Sequence, residues 1–437
     1  MDSSKLQLIS TKFIKPTFST PPPPQKYKLG LIDQLINNVY IPIAFFYPNN
    51  QINSSINVPS LLENSLSKVL ASYYPLAGKE VDNLNIDCTE MGATLIEASV
   101  DCTMSHILSQ PYVDAQDVIF PNGLNWRFKP NQSLIVAQLT HFTCGGISIS
   151  LCMSHKVSDA QTLCNFASDW AVITKETGDQ NSTPSPQLNA SSILPPIDDP
   201  SIKPEFGMFP IQENCISKRF VFNSSALNQL KAKISAETGI TNPTRVEVVT
   251  ALIHKCAYEA ALKVDPTSNK TPIFVQVVNM RPVLNPPLPS YFVGNLASYF
   301  GVPFPEDKDL NYTRLASDLR GAKVAFYEKF KGVTANEFRE EILKSVEFMK
   351  MISAGESNLE QYICTSMCRF PFYDMDFGWG KPERANFAAA PFKNFILLMD
   401  DRNGDGVEAF VPLEDKIMEV FEKDPELLHF ASLGSEF

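Results

Sequence analysis

Between Gly178 and Asn214 the chain carries prolines at 184, 186, 195, 196, 200, 204 and 210, set among Ser, Asn and Asp. Proline lacks a backbone N–H and fixes φ, so a run of this kind continues neither a helix nor a central strand. It splits the 437-residue chain into two stretches, each of which must bury its own apolar faces. Each stretch is about 200 residues long, the size at which one core suffices. Two domains are therefore expected, 1–180 and 215–437, joined by a crossover at 181–214.

Both stretches alternate strand-like and helix-like segments, which indicates α/β layers. Leu6 to Ile14 reads as a strand. Leu62, Leu66, Val69, Leu70 and Tyr73 form a helical stripe in 58–73, stopped by Pro75 and Gly78. Ser133 to Phe142 and Gly146 to Met153 read as a hairpin around Cys144-Gly145-Gly146. A helix capped by Ser158 or Asp159 follows, with Leu163, Phe166, Trp170 and Ile173 on one face. In the second stretch the pattern predicts a strand at 218–222, a helix from Ser225, a long helix at 244–262 and a strand at 274–280. Helices at about 309–330 and 336–353 and a hairpin of 395–399 with 407–411 complete it.

The balance of 37 basic against 48 acidic residues gives a net charge of −11, which opposes binding to nucleic acid or an anionic membrane. A polyanionic co-substrate would have to meet a local basic patch. Nine cysteines, an odd number without Cys-x-x-Cys, fit a reduced cytoplasmic compartment. No run approaches the ~18 apolar residues of a membrane span, and 1–16 lacks the apolar core of a secretory signal. A monomer is the expected state.

His155, one of five histidines, ends an apolar run and precedes the helix. By itself His-x-x-x-Asp fits a structural histidine at a helix entry as well as a general base. Imidazole titrates near neutrality, so a positioned one can take a proton from an attacking hydroxyl or amine. Asp159 reads either as a partner orienting the ring or as a helix cap. Asp376-Phe377-Gly378 is no kinase element, because no Gly-rich phosphate loop accompanies it. Asp401, Asn403 and Asp405 imitate half of a calcium loop, but its twelfth position is Pro412, so a hairpin turn is the better account and no metal is expected. No Gly-x-Ser-x-Gly elbow occurs.

Ser154-His155-Lys156-Val157-Ser158-Asp159 and Asp376-Phe377-Gly378-Trp379-Gly380 together resemble the His-x-x-x-Asp and Asp-Phe-Gly-Trp-Gly signatures of the plant BAHD acyl-CoA-dependent acyltransferases. The likeness runs nearly end to end. Ile41-Pro42-Ile43-Ala44-Phe45-Phe46-Tyr47-Pro48 and Asn242-Pro243-Thr244-Arg245-Val246-Glu247 are similar to the vinorine-synthase, capsaicin-synthase-like and acylsugar acyltransferase subgroup. One departure is Ala160, where the family commonly has Gly.

The resemblance implies two chloramphenicol-acetyltransferase-like α/β domains with a central channel between them. It implies that His155 is the base, and that Asp159 points away and pairs with Arg281. Thr365 would face the reaction centre and donate to the oxyanion. Asp376, Gly378, Trp379 and Gly380 would form a structural loop supporting the acyl-CoA channel, while Thr244 and Arg245 would contact the nucleotide end of CoA. Acyl-CoA is the implied co-substrate, with no permanently bound cofactor. The expected reaction moves a short or branched acyl group to a hydroxyl of a sugar or alkaloid acceptor. Acylation of an amine and a non-catalytic ligand-binding role stay open as alternatives.

Overall fold

The computed structural model describes all residues except 1–5, 19–22, 53–54, 111–112, 122–125, 127–131, 176–183, 200, 202–213, 304–309, 354–357 and 435–437. Residues 181–183, 200 and 202–213 of the 181–214 crossover, Pro200, Pro204 and Pro210 among them, thus lie outside the described residues. Among the described residues the strands, numbered in chain order, build two large sheets and a small one.

The small sheet holds β2 (Lys26–Lys28), β4 (Lys79–Glu80) and β5 (Asn85–Asp87). The first large sheet contains β1 (Leu6–Ile14), β3 (Tyr40–Tyr47), β6 (Ala93–Val100), β7 (Ile135–His141), β8 (Ile147–Ser154) and β13 (Arg384–Phe387), in the order β1-β6-β7-β8-β3-β13. The second contains β9 (Cys215–Phe222), β10 (Thr271–Asn279), β11 (Ala297–Pro303), β12 (Leu359–Ser366), β14 (Phe395–Asp400), β15 (Val407–Glu414) and β16 (Ser432–Leu433), in the order β11-β10-β12-β14-β15-β9-β16.

In β8, side chains alternate between Ile147, Ile149, Leu151 and Met153 on one face and Ser148, Ser150, Cys152 and Ser154 on the other. All eight are buried, so the serine face is covered too. Ser150 and Gln138 of β7 both donate to the Ile119 carbonyl, at 2.8 and 3.1 Å, binding the short turn Val113–Ile119 over that face.

The helix Val58–Ser72 starts at Asn57, whose side chain accepts from the Ser60 N–H, and buries Leu62, Leu66, Val69 and Leu70. It packs on the helix Ala160–Lys175. Trp170 and Thr174 both donate to the Ser65 hydroxyl, at 3.0 and 2.7 Å, and the Tyr73 and Phe166 rings meet edge to face at 5.4 Å.

Strand alternation in the second sheet sorts its two faces. Cys364, Ile396, Leu398, Ala409 and Val411 pack into a core with the helix Arg245–Val264. Thr365 pairs with Leu397, and Leu397 pairs with Phe410. Both of those apolar residues belong to the core of the first sheet. Paired residues share a face, so Thr365 lies on the side turned towards the first half.

Candidate active site

β8 runs straight into His155. The His155 N–H donates to the Val39 carbonyl at 2.8 Å, and the Asn295 side-chain amide donates to the His155 carbonyl at 2.6 Å. Both backbone polar groups of the residue are thereby pinned, from different parts of the chain. The residue is half-buried, and its Nδ1 has no hydrogen-bond partner among the described residues. Burial pushes the imidazole pKa below its ordinary value. The residue's own backbone, the Asp159 charge, the Asn295 side chain and the Ser158 backbone pull the other way and are outweighed. A ring of this kind is neutral at pH 7 and can accept a proton.

Asp159 serves the helix and the second half rather than the ring. Its Oδ1 accepts the Thr162 N–H at 3.0 Å, capping Ala160–Lys175. Arg281, which follows β10, approaches it as a fork, with Nη1 2.6 Å from Oδ2 and Nη2 3.0 Å from Oδ1. The Leu296 N–H adds a bond at 3.2 Å. Burial alone would raise this carboxyl, but the Arg281 charge and these donors hold it below its ordinary value. Arg281 also donates to the carbonyls of Phe292 and Gly294, at 2.9 and 3.0 Å. The Asp159–Arg281 pair implied by the resemblance is thus formed, and none of these bonds goes to the imidazole.

The Asp376–Gly380 loop sits at the other end of that helix, about 24 Å from Asp159 for sixteen residues at 1.5 Å each. Lys175, in the last turn, reaches the Asp376 Oδ2 at 2.6 Å, while Oδ1 accepts the N–H groups of Gly378 and Gly380 at 2.9 and 2.8 Å. Both glycines have φ above +100°, a region that side chains rarely adopt. Trp379 stacks on Phe377 at 5.8 Å and meets Tyr47 edge-on at 5.9 Å, and the Tyr47 hydroxyl donates to the Met375 carbonyl at 2.6 Å. The loop is a rivet between this helix and β3.

Thr244 caps the helix Arg245–Val264 in a capping box with Glu247. Arg245 is committed to its surroundings: Nη2 bonds Asp400 at 2.8 Å, and Nη1 donates to the carbonyls of Gly404 and Gly406 at 2.7 and 3.1 Å. Arg320 and Lys323 flank the same helix start through Glu247, and Arg369 is exposed nearby, its N–H bonding Asp400 at 2.7 Å. The Asp401–Gly406 segment is a tight turn closed on the Asp401 side chain, which accepts the Gly406 N–H at 2.9 Å.

Two residues of the site carry no motif in the sequence. Asp33 is fully buried and accepts three N–H bonds, and Asn295 bridges it to His155.

The chain matches the Transferase family over residues 4–428. It is 38% identical to diaboline synthase from a Strychnos species, the match covering 99% of this chain and 93% of that protein. The chain belongs to this family, the BAHD acyltransferases. It is also 37% identical to acyltransferase Pun1 of Capsicum frutescens, over 98% of this chain and 99% of that protein. Identity to acylsugar acyltransferase 3 of Solanum lycopersicum is 34%, over 97% of each. The crystal structure of vinorine synthase superposes with a TM-score of 0.84 at 31% identity, covering 99% of this chain and 100% of that one. The TRI101 protein of F. sporotrichioides, solved with coenzyme A and T-2, shares the fold at a TM-score of 0.71 and 18% identity, over 93% and 99%. The α/β architecture and the acyltransferase class read from the sequence therefore hold for this BAHD enzyme.

Proposed function

We propose that this BAHD enzyme moves a short or branched acyl group from acyl-CoA to a hydroxyl of a small-molecule acceptor, with His155 as general base. The observation that carries the reading is the half-buried His155, its backbone N–H and carbonyl both pinned by hydrogen bonds and its ring Nδ1 without a partner among the described residues; burial, which pushes its pKa down, favours the neutral base. In this mechanism the imidazole takes the acceptor proton as the acceptor oxygen attacks the thioester carbonyl. Donors such as Thr365 steady the resulting oxyanion. Collapse expels the CoA thiolate, which takes the proton back from His155. The basic groups at the start of the helix Arg245–Val264 make that end the candidate for the CoA nucleotide, Thr244 through its position and Arg245 with Arg320, Lys323 and Arg369 through charge. The two large sheets are read as the cores of two domains with a channel between them; the chain passes from one to the other at 181–214, and β13 is lent back to the first sheet by the second stretch.

An alkaloid alcohol or a sugar ester is the acceptor class we favour, because the relatives include vinorine synthase and an acylsugar acyltransferase. A cytoplasmic monomer fits the charge and free cysteines, and no helix of the described residues is long and apolar enough to cross a membrane. Amine acylation is the second reading, since the same base would serve it. Turnover of a panel of acyl-CoA donors with alcohol and amine acceptors, followed by mass spectrometry, tests the proposal. An ester product that persists undiminished in a folded His155→Ala variant would remove His155 from the mechanism.

A further inference from the structure

The short helix Leu31–Leu35 turns Asp33 inwards, where its carboxylate is 1% exposed. The carboxylate forms no ion pair among the described residues. It accepts the Gly30 N–H at 3.0 Å on Oδ2, and on Oδ1 both the backbone N–H and the side-chain amide of Asn295, at 2.6 and 2.9 Å. The same Asn295 amide donates to the His155 carbonyl at 2.6 Å. On the far side of Asn295, the Leu296 N–H bonds Asp159. Residues 294–296 thus form a strap from the second half that hands successive N–H groups to two buried carboxylates, with the His155 backbone tied between them.

Gly294 makes the strap possible. Its φ is +118°, and a Cβ there would lie 3.2 Å from the Asp33 carboxylate and 3.3 Å from the Ala190 Cβ. Burial raises the Asp33 carboxyl to about 6, so an ionised Asp33 comes at a cost to stability. The two bonds Asp33 accepts from Asn295 are charge-assisted, so they hold that amide more firmly than a neutral oxygen would.

We infer that Asp33 and Asn295 are positioning residues for acyl transfer: Asp33 orients the Asn295 amide, and that amide fixes the His155 backbone so the imidazole keeps its place as substrates enter. The inference rests on reading His155 as the base. A base displaced by an ångström costs on the order of 100-fold in rate, and the loss falls on kcat rather than on substrate binding.

The test is steady-state kinetics of Asn295→Ala, Asp33→Leu and Asp33→Asn, with circular dichroism and melting curves on the same samples. Asn295→Ala should lose about 10- to 100-fold in kcat with KM for acyl-CoA and acceptor within about twofold. Asp33→Asn, which keeps one acceptor oxygen for Asn295, should retain clearly more kcat than Asp33→Leu. If Asn295→Ala or Asp33→Leu fails to fold, the kcat of Asp33→Asn against wild type, both corrected for folded fraction, still reads the effect: a drop at unchanged KM supports the role and wild-type kcat overturns it. Wild-type kcat in folded Asn295→Ala, beside an inactive His155→Ala, would overturn the positioning role and leave the base assignment standing. Full activity in His155→Ala would overturn both.

Discussion

His254 makes the second half acid-labile by a calculable amount. It lies fully buried on the helix Arg245–Val264, stacked on Phe274 at 4.9 Å and 20° and edge-on to Tyr362 at 6.3 Å. Neither ring nitrogen has a hydrogen-bond partner among the described residues, and burial pushes its pKa down to about 3. In the unfolded chain it titrates near 6.5. The unfolded state therefore binds the proton first. The stability this neutral ring supports is complete above pH 6.5 and drains away as pH falls towards 3, at about 1.4 kcal/mol per unit. Near pH 4.5 the loss is roughly 3 kcal/mol, a large share of a typical 5–15 kcal/mol. Phe274 and Tyr362 belong to β10 and β12, so the strand that carries Thr365 loosens with it.

His254→Phe keeps the stack and abolishes the titration. Urea unfolding of wild type and variant at pH 7.5 and 4.5 isolates this group, because every other titrating residue cancels in the difference. At pH 7.5 the two should agree within about 2 kcal/mol, since the orphaned nitrogens removed offset the larger ring introduced. At pH 4.5 the variant should be the more stable by roughly 3 kcal/mol relative to its own standing at pH 7.5. Parallel pH profiles for the two proteins would refute the reasoning.

The depressed pKa of His155 puts the acid limb of kcat/KM below pH 6.5, activity falling as the ring protonates; a limb at or above pH 7 would assign it to another group. Asp159→Asn and Arg281→Ala should each cost about 3–5 kcal/mol, because each strands a buried partner, and the double variant should cost less than their sum. Equal melting temperatures for wild type and both single variants would make the pair dispensable. Cys152 and Cys364 are fully buried with thiols raised by burial, which disfavours a thiolate nucleophile and favours direct transfer in a ternary complex. Double-reciprocal plots should then intersect, and an acylated protein trapped with donor alone and turned over by acceptor would contradict this.

Much of the architecture was legible because the periodicities are long and clean. Helices expected at 58–73, 244–262 and 336–353 fold as 58–72, 245–264 and 335–353, and the strand at 6–14 has the expected bounds. Strands went unread where the pattern fails. β3 is apolar on both faces, giving no alternation, and Pro42 argues against a central strand. The structure accommodates it because the ladder to β13 ends at Ile43. β13 is only four residues long, with Arg384 and Asn386 on a buried face, so nothing in Arg-Ala-Asn-Phe marks it as a strand. Within the site, His155, Asp159 and Arg281 were named from motifs. Asp33 was invisible because it belongs to no motif and its partner Asn295 stands 262 residues away in the chain.

β13 also bears on how the chain reaches its folded form. Arg384–Phe387 supplies the last strand of a sheet whose other five strands end by Ser154. In return, Leu31, Ile32 and Leu35 are buried in the core of the second sheet. During synthesis from the N-terminus, β3 therefore leaves the ribosome with one hydrogen-bonding edge open and waits for most of the remaining chain before that edge is closed. An open, apolar, central-type strand invites pairing with other copies. Fragments cut within 181–214 should accordingly be poorly soluble when made singly and recover only when co-expressed. Each half carries a piece that completes the other, so the two should unfold together in one transition.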